Sequence, residues 1–138
     1  MTLGRIMGLD YGTRRIGVAM SDGLHLIAQP HSVLDADSEQ LASELRRLVD
    51  DNEVELIVVG LPVNLSGNET LSAGGARQLA ALAAQVTGLP VELADERFTT
   101  KTAEQSLLEG NVRRRRRKQL IDKVAAAVML QAFLDGRR

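Results

Sequence analysis

Arg5-Ile6-Met7-Gly8-Leu9-Asp10-Tyr11-Gly12-Thr13-Arg14-Arg15-Ile16-Gly17-Val18-Ala19-Met20-Ser21, residues 5–21, reads as two strands around a short link. Residues 4–10 form an apolar run that closes on an acid, and residues 16–21 form a second such run. The link Tyr11-Gly12-Thr13-Arg14-Arg15 has no room for a crossover helix, so the two strands are expected to be antiparallel neighbours. Asp22-Gly23 then turns the chain into a third strand near 24–30.

Beyond this meander the period of the pattern changes. Leu41, Leu45, Leu48 and Val49 stand at helical spacing and predict an amphipathic helix over 38–51, with Asp37 and Gln40 as a capping-box-like start. Val54 to Gly60 is a β-branched apolar run, the composition of a fully buried strand. Residues 61–68, with Pro62 and Gly67, read as a loop, and a helix follows over 70–87, its first turns weakened by Gly74-Gly75. A strand at 91–94, a helix at 99–109, a break at Gly110-Asn111 with a basic run, and a helix at 119–135 complete the chain. Strands separated by helices imply parallel neighbours and right-handed crossovers. The expectation is one α/β domain over 1–138, a mixed five-stranded sheet with helices on both faces.

A chain of 138 residues, 44% hydrophobic and 25% charged, can bury a core without disulfides. Having no Cys, it offers neither a thiolate nucleophile nor a Cys-based zinc site. The N-terminus lacks a signal-peptide pattern and no apolar run reaches the ~18 residues that span a bilayer, so a cytoplasmic location is expected. A net charge of −1 hides a strong asymmetry. Residues 1–96 carry 6 Lys+Arg against 14 Asp+Glu, a net of −8, whereas residues 97–138 carry 11 against 4, a net of +7. Much of that excess is the unbroken run Arg113, Arg114, Arg115, Arg116, Arg117 and Lys118, which suggests a polyanionic partner. With one Tyr, two Phe and no Trp, a base-stacking platform is not expected.

Three acids sit where a carboxylate needs a counter-ion. Asp10 closes the first strand, Glu96 follows the strand at 91–94, and Asp122 lies among Leu120, Ile121, Val124, Ala125 and Ala126. Carboxylates at element ends, without a His or Cys cluster, point to hard divalent cations, Mg²⁺ or Mn²⁺. In phosphodiester hydrolysis two such ions ~4 Å apart activate water and relieve the charge of the transition state. Asp10 would bridge them, with Glu96 and Asp122 each completing one shell. Plainer readings exist for each. Asp10 can close a turn, Glu96 can pair with Arg97, and Asp122 can sit in the first turn of its helix beside Lys118. Asp95 is expected on the opposite face of its strand from Glu96. Thr99 and Thr100 read as helix caps, His25 and His31 as structural, and the basic run as either a solvated segment or a phosphate clamp.

Gly8 to Asp22, Val58-Val59-Gly60-Leu61-Pro62, Asp95-Glu96-Arg97-Phe98-Thr99-Thr100 and Ile121-Asp122-Lys123-Val124-Ala125-Ala126 together resemble the YqgF (RuvX) family of pre-16S rRNA nucleases and Holliday-junction-resolvase-like proteins. The likeness spans the chain. It implies an RNase H-like fold, divalent-metal dependence and maturation of the 5′ end of 16S rRNA, and it carries the catalytic acids onto Asp10, Glu96 and Asp122. Arg97, Thr100 and Lys123 become candidate substrate contacts, beside Arg14, Arg15 and the run from Arg113 to Lys118. Phe98 stands where the family has Leu, and the basic run is longer than the family pattern. Expected partners are structured RNA or four-way DNA; a junction resolvase would also need a two-fold homodimer to make symmetric cuts. The Asp10-Tyr11-Gly12-Thr13 string also occurs in actin-like ATPases, but those use two such domains, and this chain has no Gly-x-x-x-x-Gly-Lys loop. A non-catalytic RNA-binding module is the remaining alternative.

Overall fold

A computed structural model describes residues 4–62, 73–95 and 114–137, with the backbone alone for 114–119. Arg5–Tyr11 (β1) and Arg15–Ser21 (β2) pair antiparallel, with Met7 opposite Met20 and Asp10 opposite Gly17. Ala28–Asp35 (β3) pairs antiparallel with the outer side of β2. After helix α1 (Leu41–Asn52), strand β4 (Val54–Leu61) lies parallel to β1 on its other side. Helix α2 (Ala73–Thr87) leads to β5 (Val91–Asp95), parallel to β4, and α3 (Arg114–Gly136) ends the described chain. The sheet is five-stranded and mixed, as the pattern implies, and its strand order is β3-β2-β1-β4-β5.

The alternation of side chains sorts the core into two layers. Met7, Leu9, Ile16, Val18, Ile57 and Val59 meet Leu45 and Val49 of α1 and Ala76, Leu79 and Ala83 of α2. Ile6, Ala19, Leu56 and Val58 meet Ala126, Met129, Leu130 and Leu134 of α3 on the other face. Among the described residues, no helix is long and apolar enough to cross a membrane.

Three expectations need correction. The third strand runs over Ala28–Asp35, not 24–30. Residues 22–27 form a turn instead, in which Asp22 Oδ1 accepts the N–H groups of Leu26 (2.7 Å) and Ile27 (3.0 Å), while His25 adopts φ 59°. Those amides, Ile27's foremost, hold the Asp22 carboxyl below its ordinary pKa. The apolar Leu24, Leu26 and Ile27, which suggested a strand, stay exposed on this turn. Pro30 is accommodated because β3 is an edge strand, and the register with β2 shifts between Val18 and Ala19.

Helix α1 begins at Leu41, not 38, and its N-cap Gln40 makes no side-chain capping bond. The expected capping box is therefore absent: the Asp37 N–H donates to Asp35 Oδ1, and Ser38 Oγ accepts the Gln40 N–H. The last helix starts at Arg114 rather than 119, so Arg114 to Lys118 are its first turns and not a mobile segment before it. The helix expected over 99–109 and the loop from residue 63 onward lie outside the described residues.

Gly75 explains the glycine pair in α2. A Cβ there would fall on the Tyr11 ring, which leaves β1 on the α2 side and packs against that core layer. Gly74, by contrast, has open space around it. Gly75→Ala is expected to lower stability by about 1–3 kcal/mol through overpacking against Tyr11, whereas Gly74→Ala raises it slightly. Urea denaturation, read as a shift in midpoint at constant slope, checks the pair.

Candidate active site

The carboxyl ends of the adjacent parallel strands β1 and β4 meet where Asp10 pairs with Gly60. Along β1 the side chains alternate without a break from Ile6 to Asp10. Ile6 belongs to the α3 layer, and a Cβ on Gly8 would reach 3.0 Å from Leu130 of α3. Asp10, next in that series, is half-buried on the same face.

Glycine sets the height of α3 over this face. Gly17, the register partner of Asp10, is buried, and a Cβ added to it would overlap the main-chain oxygen of Asp122. The helix backbone thus rests directly on β2 at Asp122, with the Ala126 Cβ 3.4 Å from the same point. Paired antiparallel residues have Cα atoms about 5 Å apart, so Asp10 stands one strand spacing from the place where Asp122 enters. The backbone of Asp122, 112 positions further along the chain, therefore lies over the strand partner of Asp10.

Asp122 lies well inside α3, eight residues after its start, so the first-turn reading does not hold. Its Oδ2 accepts a 2.6 Å bond from Arg15 Nε, with side-chain exposures of 26% and 39%. Such a short N–H···O contact is charge-assisted, in the range of strong guanidinium–carboxylate pairs. Sequence reasoning placed Arg15 among substrate contacts and missed this partnership. It also missed Gly17, for which a signal existed, since glycine inside a strand marks a close backbone approach.

The remaining candidates fall into three groups by position. Arg14 is exposed in the β1–β2 turn, where its carbonyl accepts the Ala36 N–H at 2.9 Å. Lys123 is half-buried beside Asp122, and the backbone of Arg114, Arg115, Arg116, Arg117 and Lys118 forms the N-terminal turns of α3. Glu96, Arg97, Thr100 and Arg113 lie outside the described residues. Among the described residues no group of three or more His, Cys, Asp or Glu side chains gathers to hold a metal ion. The histidines make structural contacts: His25 Nε2 lies 2.6 Å from the Gly4 carbonyl and 3.0 Å from Glu55 Oε1, and His31 Nδ1 meets Ser32 Oγ at 2.9 Å. Asp95, the last residue of β5, is exposed opposite Leu61.

Residues 4–136 match the family model described as RuvX, Holliday junction resolvase. The chain belongs to the RuvX family. A relative from Dictyoglomus thermophilum, named "Putative pre-16S rRNA nuclease", is 42% identical over 133 residues, 96% of either chain. One of the same name from Desulfitobacterium hafniense is 45% identical over 131 residues, covering 95% of this chain and 92% of its own. The RuvX sheet and its helices also resemble Thermus thermophilus RuvC solved with a Holliday junction substrate, at TM-score 0.58 and 18% identity over 97% of this chain and 95% of that one. The yeast mitochondrial resolvase Ydc2 gives TM-score 0.52 at 12% identity, over 96% and 78% of the two chains. At these identities the likeness is one of fold, the RNase H-like arrangement of a mixed sheet between helical layers.

Proposed function

We propose that this RuvX protein is a divalent-metal-dependent endonuclease that hydrolyses phosphodiester bonds in processing the 5′ end of pre-16S rRNA. One observation carries the reading: α3 seats Asp122 on Gly17, the strand partner of Asp10, so two acids from opposite ends of the chain share one face. The names of relatives at 42–45% identity over nearly the whole chain support the substrate class.

The donor set fits a hard cation. Both described acids offer carboxylate oxygen, the chain has no thiol, and Asp122 already accepts a positive group in the Arg15 guanidinium. Asp10 and Asp122 would hold the metal, with Glu96, which follows the last residue of β5, as third ligand. Bound there, one or two Mg²⁺ or Mn²⁺ ions would supply charge neutralisation and an activated water. The protein's own part is rigidity. Asp10 is fixed by pairing on both sides of β1, and Asp122 by a helix packed on glycine, so neither carboxylate has to be ordered at the moment of reaction.

Arg14, which lines a cleft together with Arg15, and Lys123, next to Asp122 in α3, would contact phosphate oxygens. The basic run adds grip. Cations in the first turns of a helix oppose both its dipole and one another, an arrangement that a bound polyphosphate relieves. Arg114 starts about 12 Å along the helix from Asp122, a distance of several nucleotides' reach at most. Replacing Arg113 to Arg117 by Gln is expected to weaken RNA binding and flatten its dependence on salt, by about 0.7 to 0.9 in log–log slope for each phosphate no longer neutralised. Calorimetric titration with Mn²⁺ should be unchanged by the same substitutions.

The second reading, resolution of four-way DNA junctions, is favoured by the family description. The 2′-hydroxyl separates RNA from DNA at a site, and the amino-acid sequence does not mark a residue dedicated to reading it. The deciding experiment incubates the protein and Mn²⁺ with a pre-16S leader RNA and, separately, with junction DNA. Cleavage of the leader is expected. Cleavage of the junction alone, with a two-fold dimer in light scattering, would transfer the assignment to the resolvase reading. Binding of either without cleavage would leave a non-catalytic module.

A further inference from the structure

Arg15 occupies two environments at once. Its Nε holds Asp122 Oδ2 at 2.6 Å, and Arg15 also lines an open cleft of about 510 Å³ with Arg14, Val33, Leu34, Asp35 and Asp37. It starts β2, whose next inward residue on that face is Gly17, so its backbone is fixed while its long side chain can swing. A guanidinium and a divalent cation on one carboxylate oxygen repel each other strongly in a half-buried setting.

Building on the metal-site reading above, we propose that Arg15 is a metal-released phosphate ligand. Without metal it neutralises Asp122 and so keeps the pair of acids from repelling. When a divalent cation takes the Asp122 carboxylate, the guanidinium is displaced into the cleft and turns to a phosphate of the nucleic acid. The fork of five donors suits either partner, carboxylate or phosphate. The same residue would then make nucleic-acid binding depend on prior metal loading, with no movement of the fold.

Two measurements test this without reading cleavage. In ¹H–¹⁵N spectra of the intact protein, the Arg15 Nε–H signal, assigned by its loss in Arg15→Lys, should be sharp and displaced without metal. Titration with Mg²⁺ should return it to the free-arginine position, in step with shifts of the Asp10 and Gly17 amides. If the amides shift and the Arg15 signal does not, the displacement is refuted while the metal site stands. If nothing moves at any Mg²⁺ concentration, the metal site fails and the proposal with it. The second measurement is the salt dependence of nucleic-acid binding for Arg15→Gln. Its slope should equal that of the unmodified protein in EDTA and fall short by about 0.7 to 0.9 in Ca²⁺. An equal deficit under both conditions would mean that Arg15 contacts phosphate regardless of metal, and would overturn the proposal.

Discussion

Asp10→Asn is expected to reduce cleavage by about a thousandfold or more while the protein remains folded. A bound cation contributes several kcal/mol of transition-state charge stabilisation, and each 1.4 kcal/mol is roughly a factor of ten in rate. Asn keeps the shape of Asp and one of its acceptor oxygens but loses the charge that a divalent ion requires. Asp10 stands at the paired end of β1, between Gly17 and Gly60, so the amide finds the same space. Affinity for the uncleaved substrate should fall by no more than the one phosphate contact that Arg15 makes once metal is bound, because the other cations proposed to hold phosphate do not depend on the metal. The measurements are single-turnover cleavage with Mn²⁺, a thermal melt, and binding of the same RNA. Full activity in Asp10→Asn would remove the metal-nuclease reading and leave the non-catalytic module.

The sheet was legible because its information is local. The apolar run from Ile6 to Leu9 that closes on Asp10, and the apolar run from Val54, each specify a strand without reference to the rest of the chain. Strand direction followed from connection lengths, since a five-residue link permits only an antiparallel neighbour and an intervening helix implies a parallel one. Boundaries failed where a side chain competes for the backbone. Asp22 captures two amides and makes a turn of an apolar segment, and Ser38 replaces the anticipated box before α1. The start of α3 was hidden because a block of like charges reads as solvated chain, although arginine itself is a good helix former. At the site, the identity of the acids was visible as chemistry, carboxylates among apolar neighbours. What fixes their spacing was not. The contact of α3 on Gly17 and the bond from Arg15 to Asp122 join residues more than a hundred positions apart, and no local pattern encodes such a pairing.

Gly17→Ala should cost about a hundredfold in cleavage although it removes no functional group. The added methyl would overlap the main-chain oxygen of Asp122, and backbone cannot rotate away as a flexible side chain can. The helix must therefore lift from β2 at that point, by roughly 1 Å, a displacement of reacting groups that can lower rates about a hundredfold. Overpacking adds a stability loss of about 1–3 kcal/mol, so activity has to be compared at a temperature where both proteins are folded. Gly8→Ala supplies the control. Its Cβ would stand 3.0 Å from the Leu130 side chain, under the same helix but two residues before Asp10 on β1. It should lower the denaturation midpoint by a smaller amount and leave Asp122 seated, because the nearest atom, Leu130 Cβ, has to give by only a few tenths of an ångström, eight residues along the helix from Asp122. Mn²⁺ affinity distinguishes the two variants independently of turnover: it should weaken in Gly17→Ala and hold in Gly8→Ala. Equal cleavage losses in both variants would mean that general destabilisation, and not the seat of Asp122, governs the rate.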